Sequence, residues 1–348
     1  MKKILLLSLV LAGCPDPIES DTDPVVGAGP AEELAWSAPA DGLELQGTLT
    51  LPERDGPVPV VVLVHGSGPN GRDAVMAGQF NMGFGFELRA FEQIAAGLQE
   101  RGVAVYRYDK RTCVTGDCAG NGYPTPSGEL LVDDFVADGV AAAASLTASE
   151  AIDPSRIWIA GHSQGGQLVP AMVRDGGLAG GIVLAGNHDP IDVTLRWQLT
   201  HGEDVLRTAG YTDAQITSLM APVRELADGA DAIRDGTWSG GSLGGASEAF
   251  WRSWMDAGDA APGIAASLEQ PLVVLAGDYD WNVPPGDVAA WEATFAGNPG
   301  PRSATLLPCV THALNCIAEP DFRQIAPGDV GTEVDARILD AMAAAVTE

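Results

Sequence analysis

Ser163 stands in Gly161-His-Ser-Gln-Gly165, directly after the apolar run 156–160 and directly before a helical pattern. A serine on so sharp a strand-to-helix turn has strained backbone angles and an exposed Oγ. The residues two before and two after it must therefore lack bulk, and Gly161 and Gly165 meet that demand. A hydroxyl is a poor nucleophile until a histidine takes its proton, and the histidine needs a carboxylate to fix its tautomer. Of the five histidines, His65 and His162 belong to a glycine-rich loop and to the turn itself, while His188 and His201 open an insertion. His312 alone follows the last strand pattern, where the chain order serine, acid, histidine places the base. The acid should leave the strand 271–276, and Asp278 and Asp280 compete for the role. Asp280 is favoured because it lies further beyond the strand end, with Val283-Pro284 turning the chain behind it, whereas Asp278 suits a turn cap. A tetrahedral oxyanion needs two preorganised donors. The backbone N–H of Gln164 is one candidate, and that of Ser67, in His65-Gly-Ser-Gly-Pro69, is the other.

Those residues need a frame that holds distant segments at one edge. Residues 43–51 alternate apolar and polar, and 58–64 are a nearly unbroken apolar run, which reads as antiparallel edge strands leading into a buried one. Further buried strands are expected at 102–108, 156–160, 181–185, 271–276 and 303–307. Helical patterns lie between them at 88–101, 129–147, 167–175, 288–295 and 333–346. Strands alternating with helices argue an α/β fold, a mostly parallel sheet with helices on both faces. Residues 187–267 have no strand pattern but several amphipathic helical ones, at 193–199, 213–227 and 247–255, and read as a cap insertion of about eighty residues.

The chain has 348 residues, 46% of them hydrophobic and 6% aromatic, enough for one enzyme-sized core. Its start, Met-Lys-Lys followed by a short apolar stretch and Leu11-Ala-Gly-Cys14, reads as a secretory signal over 1–13 rather than a membrane span. Leu11-Ala12-Gly13-Cys14 resembles the lipobox of bacterial lipoproteins, which implies that Cys14 is the lipidated (palmitate-type) first residue of the mature protein. Residues 14–34 then form a disordered linker: 15–30 hold four prolines and four acidic residues but no basic one. Sixteen extended residues reach on the order of 50 Å. Residues 35–348 are expected to be the folded domain, exported and lipid-anchored at the bacterial cell envelope. Loss of Lys2 and Lys3 with the signal takes the net charge from −28 to −30, which disfavours nucleic acid and anionic surfaces as partners. Lys110 is then the sole lysine. Adaptation to salt, a GC-rich genome and colloidal solubility each account for that bias.

Four further cysteines form two close pairs, Cys113 with Cys118 and Cys309 with Cys316. In an exported chain these suggest two local disulfides. Zinc competes only on the cysteine count, since neither pair has C-x₂-C spacing. The second pair brackets His312, so its bridge is expected to stiffen the base; a cross-bridge between the two loops is the alternative pairing.

The fragments His65-Gly-Ser-Gly-Pro-Asn-Gly-Arg-Asp73, Val105-Tyr-Arg-Tyr-Asp-Lys-Arg-Thr112, Gly161 to Gly166, Gly277 to Pro284 and His312 resemble α/β-hydrolase esterases with an HGSGP oxyanion loop, near the dienelactone-hydrolase and prolyl-oligopeptidase branches. The resemblance runs from about Ala35 to the end. It implies an eight-stranded sheet, a helical cap between the sixth and seventh strands, and Ser163, Asp280 and His312 as a triad. It implies hydrolysis of a small carboxylic ester through an acyl-enzyme, with no metal or organic cofactor. Arg72, Asp73, Asp109, Lys110 and Arg111 also match motif positions and read as charges that brace loops. The departures are a Gly/Phe-rich extension at 81–86 and both cysteine pairs. Two other functions stay open: a peptidase or amidase, whose relatives usually carry a propeller domain with no counterpart here, and a non-catalytic ligand-binding envelope lipoprotein.

Overall fold

The computed structural model describes residues 30–76, 87–113, 130–298, 300–319 and 321–347. Eight strands form one sheet: β1 (Ala31–Ser37), β2 (Glu44–Thr50), β3 (Val58–Val64), β4 (Ala104–Tyr108), β5 (Ile152–His162), β6 (Gly180–Leu184), β7 (Leu272–Gly277) and β8 (Arg302–Leu307). Their order is β1-β2-β4-β3-β5-β6-β7-β8. β1 and β2 are antiparallel, β2 is antiparallel to β4, and every later pairing is parallel. β3 is apolar throughout because both of its faces are covered. Val60, Val62 and Val64 pack into one core and Val61 and Leu63 into the other, as the two-residue period of a strand requires.

Nine helices are described. α1 (Ala90–Glu100) and α9 (Ala336–Thr347) cover one face, through Phe91, Ile94, Ile338 and Met342. α2 (Val132–Ser145), α3 (Gln164–Gly176) and α8 (Asp287–Phe295) cover the other. Between β6 and β7 lie α4 (Ile191–Thr208), α5 (Asp213–Leu219), α6 (Ala221–Arg234) and α7 (Glu248–Ser267), whose core side chains continue the second face's cluster. None of the described helices is long and apolar enough to cross a membrane.

Several boundaries differ from the sequence reading for local reasons. The first strand among the described residues begins at Ala31, so residues 31–34, expected in the linker, are strand. β1 is held there by backbone pairing to β2, with Trp36 turned inward, and its mostly exposed residues carry no periodicity to read. α3 starts three residues earlier than expected because its first turn, Gln164-Gly-Gly166, is poor in helix formers. The pattern 213–227 is two helices, with Pro222 near the start of the second preventing one continuous ladder. Residues 88–89 pair with Val75–Met76 as a short ribbon before α1 begins. Residues 1–29, including Cys14, as well as the 81–86 extension and Cys118, lie outside the described residues.

Candidate active site

β5 delivers Ser163 to a turn at which its own φ is +55° and ψ −120°, a conformation that favours glycine. The surrounding packing imposes it. A Cβ on Gly161 would sit 2.1 Å from the Gly165 carbonyl oxygen, and one on Gly165 would sit 2.5 Å from that of His65 and 2.6 Å from that of Val64. The two small residues are therefore demanded by close backbone approach between the β5 turn, α3 and the end of β3. On Gly66 a Cβ would lie 3.0 Å from Ser163 Cβ, so the glycine-rich loop runs alongside the serine.

His312 and Asp280 meet at the ends of β8 and β7. His312 Nδ1 donates to Asp280 Oδ2 at 2.9 Å, with both residues buried. Asp280 Oδ1 accepts the backbone N–H groups of Asn282 and Val283, at 2.7 and 2.9 Å, which fix the carboxylate's orientation. An Nδ1–H directed at Asp280 leaves Nε2 as the acceptor, the tautomer a general base needs. Asp278 does something else: its Oδ1 accepts the Cys309 N–H at 2.7 Å and so caps the loop that carries His312.

Two other histidines act as struts. His162 donates Nε2–H to the backbone carbonyl of His312 at 2.8 Å, tying the serine's turn to the His312 backbone. Burial, with the neighbouring His312 adding to it, holds His162 down to about 3, so it is neutral. His65 donates in the same way to the Tyr108 carbonyl at 2.7 Å and stacks on Phe91, and burial lowers it to about 4.

The motif charges are distributed unevenly. Arg72 pairs with Asp109 and Glu33, Asp73 pairs with Arg89 and Arg107, and the fully buried Arg111 binds Asp138 at 2.6 Å and Asp41 at 3.0 Å. All of these brace loops, as expected. Lys110 does not follow them. It is 5% exposed, and its Nζ donates to the Gly66 carbonyl at 2.6 Å and to Gln164 Oε1 at 2.9 Å, with the Phe135 ring centre 4.1 Å away. Burial pushes its ammonium down to about 7.

Of the two expected oxyanion donors, Ser67 follows Gly66, which lies against Ser163 from the loop, and Gln164 follows Ser163 at the helix start. Gln164 opens α3, so its N–H is one of the four that a helix leaves without an intrahelical acceptor. Cys309 and Cys316 are bonded to each other across the His312 loop, as their spacing suggested. Cys113 is also disulfide-bonded, which excludes a bridge from it to the His312 loop.

Sequence reasoning missed His162 as a tie to the base, Lys110 as a contact of the loop beside Ser163, and Gln167. The fully buried Gln167 donates to the Asp189 carbonyl at 2.8 Å and accepts from Trp254 Nε1 at 3.0 Å, linking the helix behind Ser163 to the insertion. The one available signal was that Lys110 stands alone as a lysine beyond residue 3.

Comparison with known proteins agrees with this fold. A curated relative, esterase EstD of Thermotoga maritima, is 27% identical over 254 residues, which are 73% of this chain and 54% of that protein. The chain thus spans about half the length of the curated relative it matches. Among solved structures, a puromycin hydrolase superposes with a TM-score of 0.56 at 20% identity, over 93% of this chain and 40% of that one. A 2,6-dihydroxy-pseudo-oxynicotine hydrolase gives 0.53 at 16% identity, over 91% and 68%. These two likenesses show the fold alone. The profile of the alpha/beta hydrolase family matches residues 61–328, from the strand before the glycine-rich loop to beyond His312, and the chain belongs to that family.

Proposed function

We propose that this hydrolase cleaves small carboxylic esters with Ser163 as nucleophile, His312 as base and Asp280 as the carboxylate that orients it. The observation that carries the reading is the buried His312–Asp280 hydrogen bond at the same sheet edge as a serine held at φ +55°. Ser163 Oγ adds to the ester carbonyl while His312 Nε2 takes its proton. The carbonyl oxygen becomes an oxyanion between the N–H groups of Ser67 and Gln164. As the intermediate collapses, His312 returns the proton to the departing alcohol, and water resolves the acyl-enzyme by the same steps. The resemblance of 27% to an esterase supports the ester as substrate class.

The test is labelling by a fluorophosphonate, followed by a comparison of nitrophenyl esters with aminopeptide nitroanilides. Labelling at Ser163 with faster ester turnover is expected. Folded protein that does not label would point to a binding module, and faster anilide turnover would point to a peptidase. We further propose, from residues 1–14 alone, that the protein is exported and held at the membrane by lipid on Cys14.

A further inference from the structure

A buried lysine is expensive to keep. The carboxylate that pulls on Lys110, that of Asp138, already has both oxygens bound by Nε and Nη2 of Arg111. The two bonds of Lys110 itself go to neutral acceptors, and those acceptors share a property. The Gly66 carbonyl belongs to the same peptide group as the Ser67 N–H, and the Gln164 side chain belongs to the residue whose N–H is the second candidate donor.

In a trans peptide the C=O and N–H point in opposite directions. Holding the Gly66 oxygen on Lys110 therefore turns the Ser67 N–H away from Lys110. The rest of the loop is arranged alike. Asn70 Nδ2 reaches the carbonyls of Gly66, Ser67 and Gly68 at 3.3, 2.9 and 3.1 Å, and Thr112 Oγ1 donates to Gly68 at 2.9 Å. Three successive carbonyls thus face one backing layer. A carbonyl that accepts a hydrogen bond from a cation also makes its partner N–H a stronger donor. In its ammonium form Nζ has donors only, and that form obliges Gln164 to present Oε1 to it.

We propose that Lys110 is the positioning residue of the oxyanion hole, locking the Gly66–Ser67 peptide and Gln164 into one register so that both amides address the same oxygen. The inference rests on the proposed role of Ser163. Lys110 acts through the donors and does not touch the substrate.

Lys110→Met is the direct test, with a short nitrophenyl ester as substrate and a trifluoromethyl ketone as probe. Ser163 Oγ adds to the ketone carbon, its proton passes to His312, and the carbonyl oxygen becomes a stable oxyanion in the hole. Removing one oxyanion donor outright lowers kcat by about 100- to 1000-fold, so misaligning two should lower it by roughly 10- to 100-fold. KM should move by less than about threefold, and affinity for the ketone should fall by the same factor as kcat. Gln164→Met keeps the backbone donor but removes the link to Lys110. It should show the same split at smaller size, and it carries the test if Lys110→Met does not fold. Either folded variant with kcat within threefold of wild type, or with lowered kcat and unchanged ketone affinity, overturns the proposal. Fluorophosphonate labelling of the wild-type protein separates the two readings: no label at Ser163 defeats the hydrolase assignment, whereas labelled wild type with an unaffected Lys110→Met defeats only the role of Lys110.

Discussion

The Cys309–Cys316 bridge encloses His312, and removing it should cost stability but almost no activity. The double variant Cys309→Ser/Cys316→Ser opens this ring and leaves the disulfide at Cys113 intact. For a closed loop of about eight residues, chain entropy gives about 2.5 kcal/mol. Unfolding entropy near 2 cal/mol/K per residue over the roughly 290 described residues converts this to a Tm lower by about 4 °C. Activity responds to a different quantity, the position of the imidazole. A shift of about 1 Å at a catalytic group lowers a rate by about 100-fold, near 2.7 kcal/mol.

The loop has its own restraints against such a shift. Ile317 N–H donates to the Cys309 carbonyl at 2.8 Å and closes nearly the same ring without sulfur. Thr311 N–H reaches the Asn315 carbonyl at 2.8 Å, Leu314 N–H reaches that of Thr311 at 3.0 Å, and Tyr279 N–H reaches that of Val310 at 3.0 Å. The fully buried Asn315 donates to the Gly331 carbonyl at 2.7 Å, and His162 holds the His312 carbonyl. At about 1 kcal/mol net for each bond, several must break together before the base moves 1 Å, and that exceeds the 2.7 kcal/mol at stake. The stiffening that the spacing suggested is therefore shared with the backbone. Steady-state kinetics well below Tm should show kcat within about threefold of wild type, and circular dichroism should show the 4 °C shift. A fall in kcat of tenfold or more alongside that small shift would refute the reasoning, because the hydrogen bonds would then be insufficient to place His312.

Three further outcomes are expected. Ser163→Ala and His312→Ala should each lower kcat by at least about 10⁴-fold with Tm preserved, Asp280→Asn somewhat less, and Asp278→Asn far less; if Asp278→Asn were the more damaging of the two, the acid would be misassigned. Asp287 accepts the His188 N–H at 2.7 Å, and burial, the largest influence on it, raises its carboxyl to about 7 from 3.8. Its contribution to stability is full below about pH 4 and lost as pH rises through 7, so the Tm of Asp287→Asn relative to wild type should climb across that window; a pH-independent difference would contradict this. Cys14→Ser should free the protein from membranes and abolish labelling by palmitate analogues, and unchanged retention without lipid label would sink the anchor.

What was legible followed from strong local constraint. β3 shows its burial as seven apolar residues, and the turn shows itself through glycines that the 2.1 and 2.5 Å approaches require. The succession of strands along the chain and the loops holding Asp280 and His312 came with these. What was not legible depends on partners distant in sequence. β1 exists because β2 offers it a ladder, and its exposed residues give no pattern. His162 looks like a filler position in a pentapeptide until a residue 150 positions later presents its carbonyl. Lys110 reads as one more loop charge beside Arg72 and Arg111, and only the fold separates a cation on carboxylates from a cation on a peptide oxygen.

The insertion illustrates the same division. Its amphipathic stripes announced helices but not what they face. α7 sends Trp254 to Gln167, one turn beyond the nucleophile, and packs so closely that a Cβ on Gly258 would lie 2.7 Å from Pro190 Cα and 2.9 Å from Gln167 Nε2. α4 sends Gln198 to the carbonyl of Asn282 at 2.5 Å, two residues beyond the acid. The insertion is thus fastened to the segment behind Ser163 and to the segment beside Asp280, with Trp251, Trp254 and Phe250 of α7 packed together within it. Bonds at both attachment points favour a fixed insertion over a hinged one, since movement would leave buried amide groups without partners at about 1–3 kcal/mol each. Substitutions at Gln167 or Gln198 should therefore lower stability, since each would leave a buried partner of the insertion without its hydrogen bond.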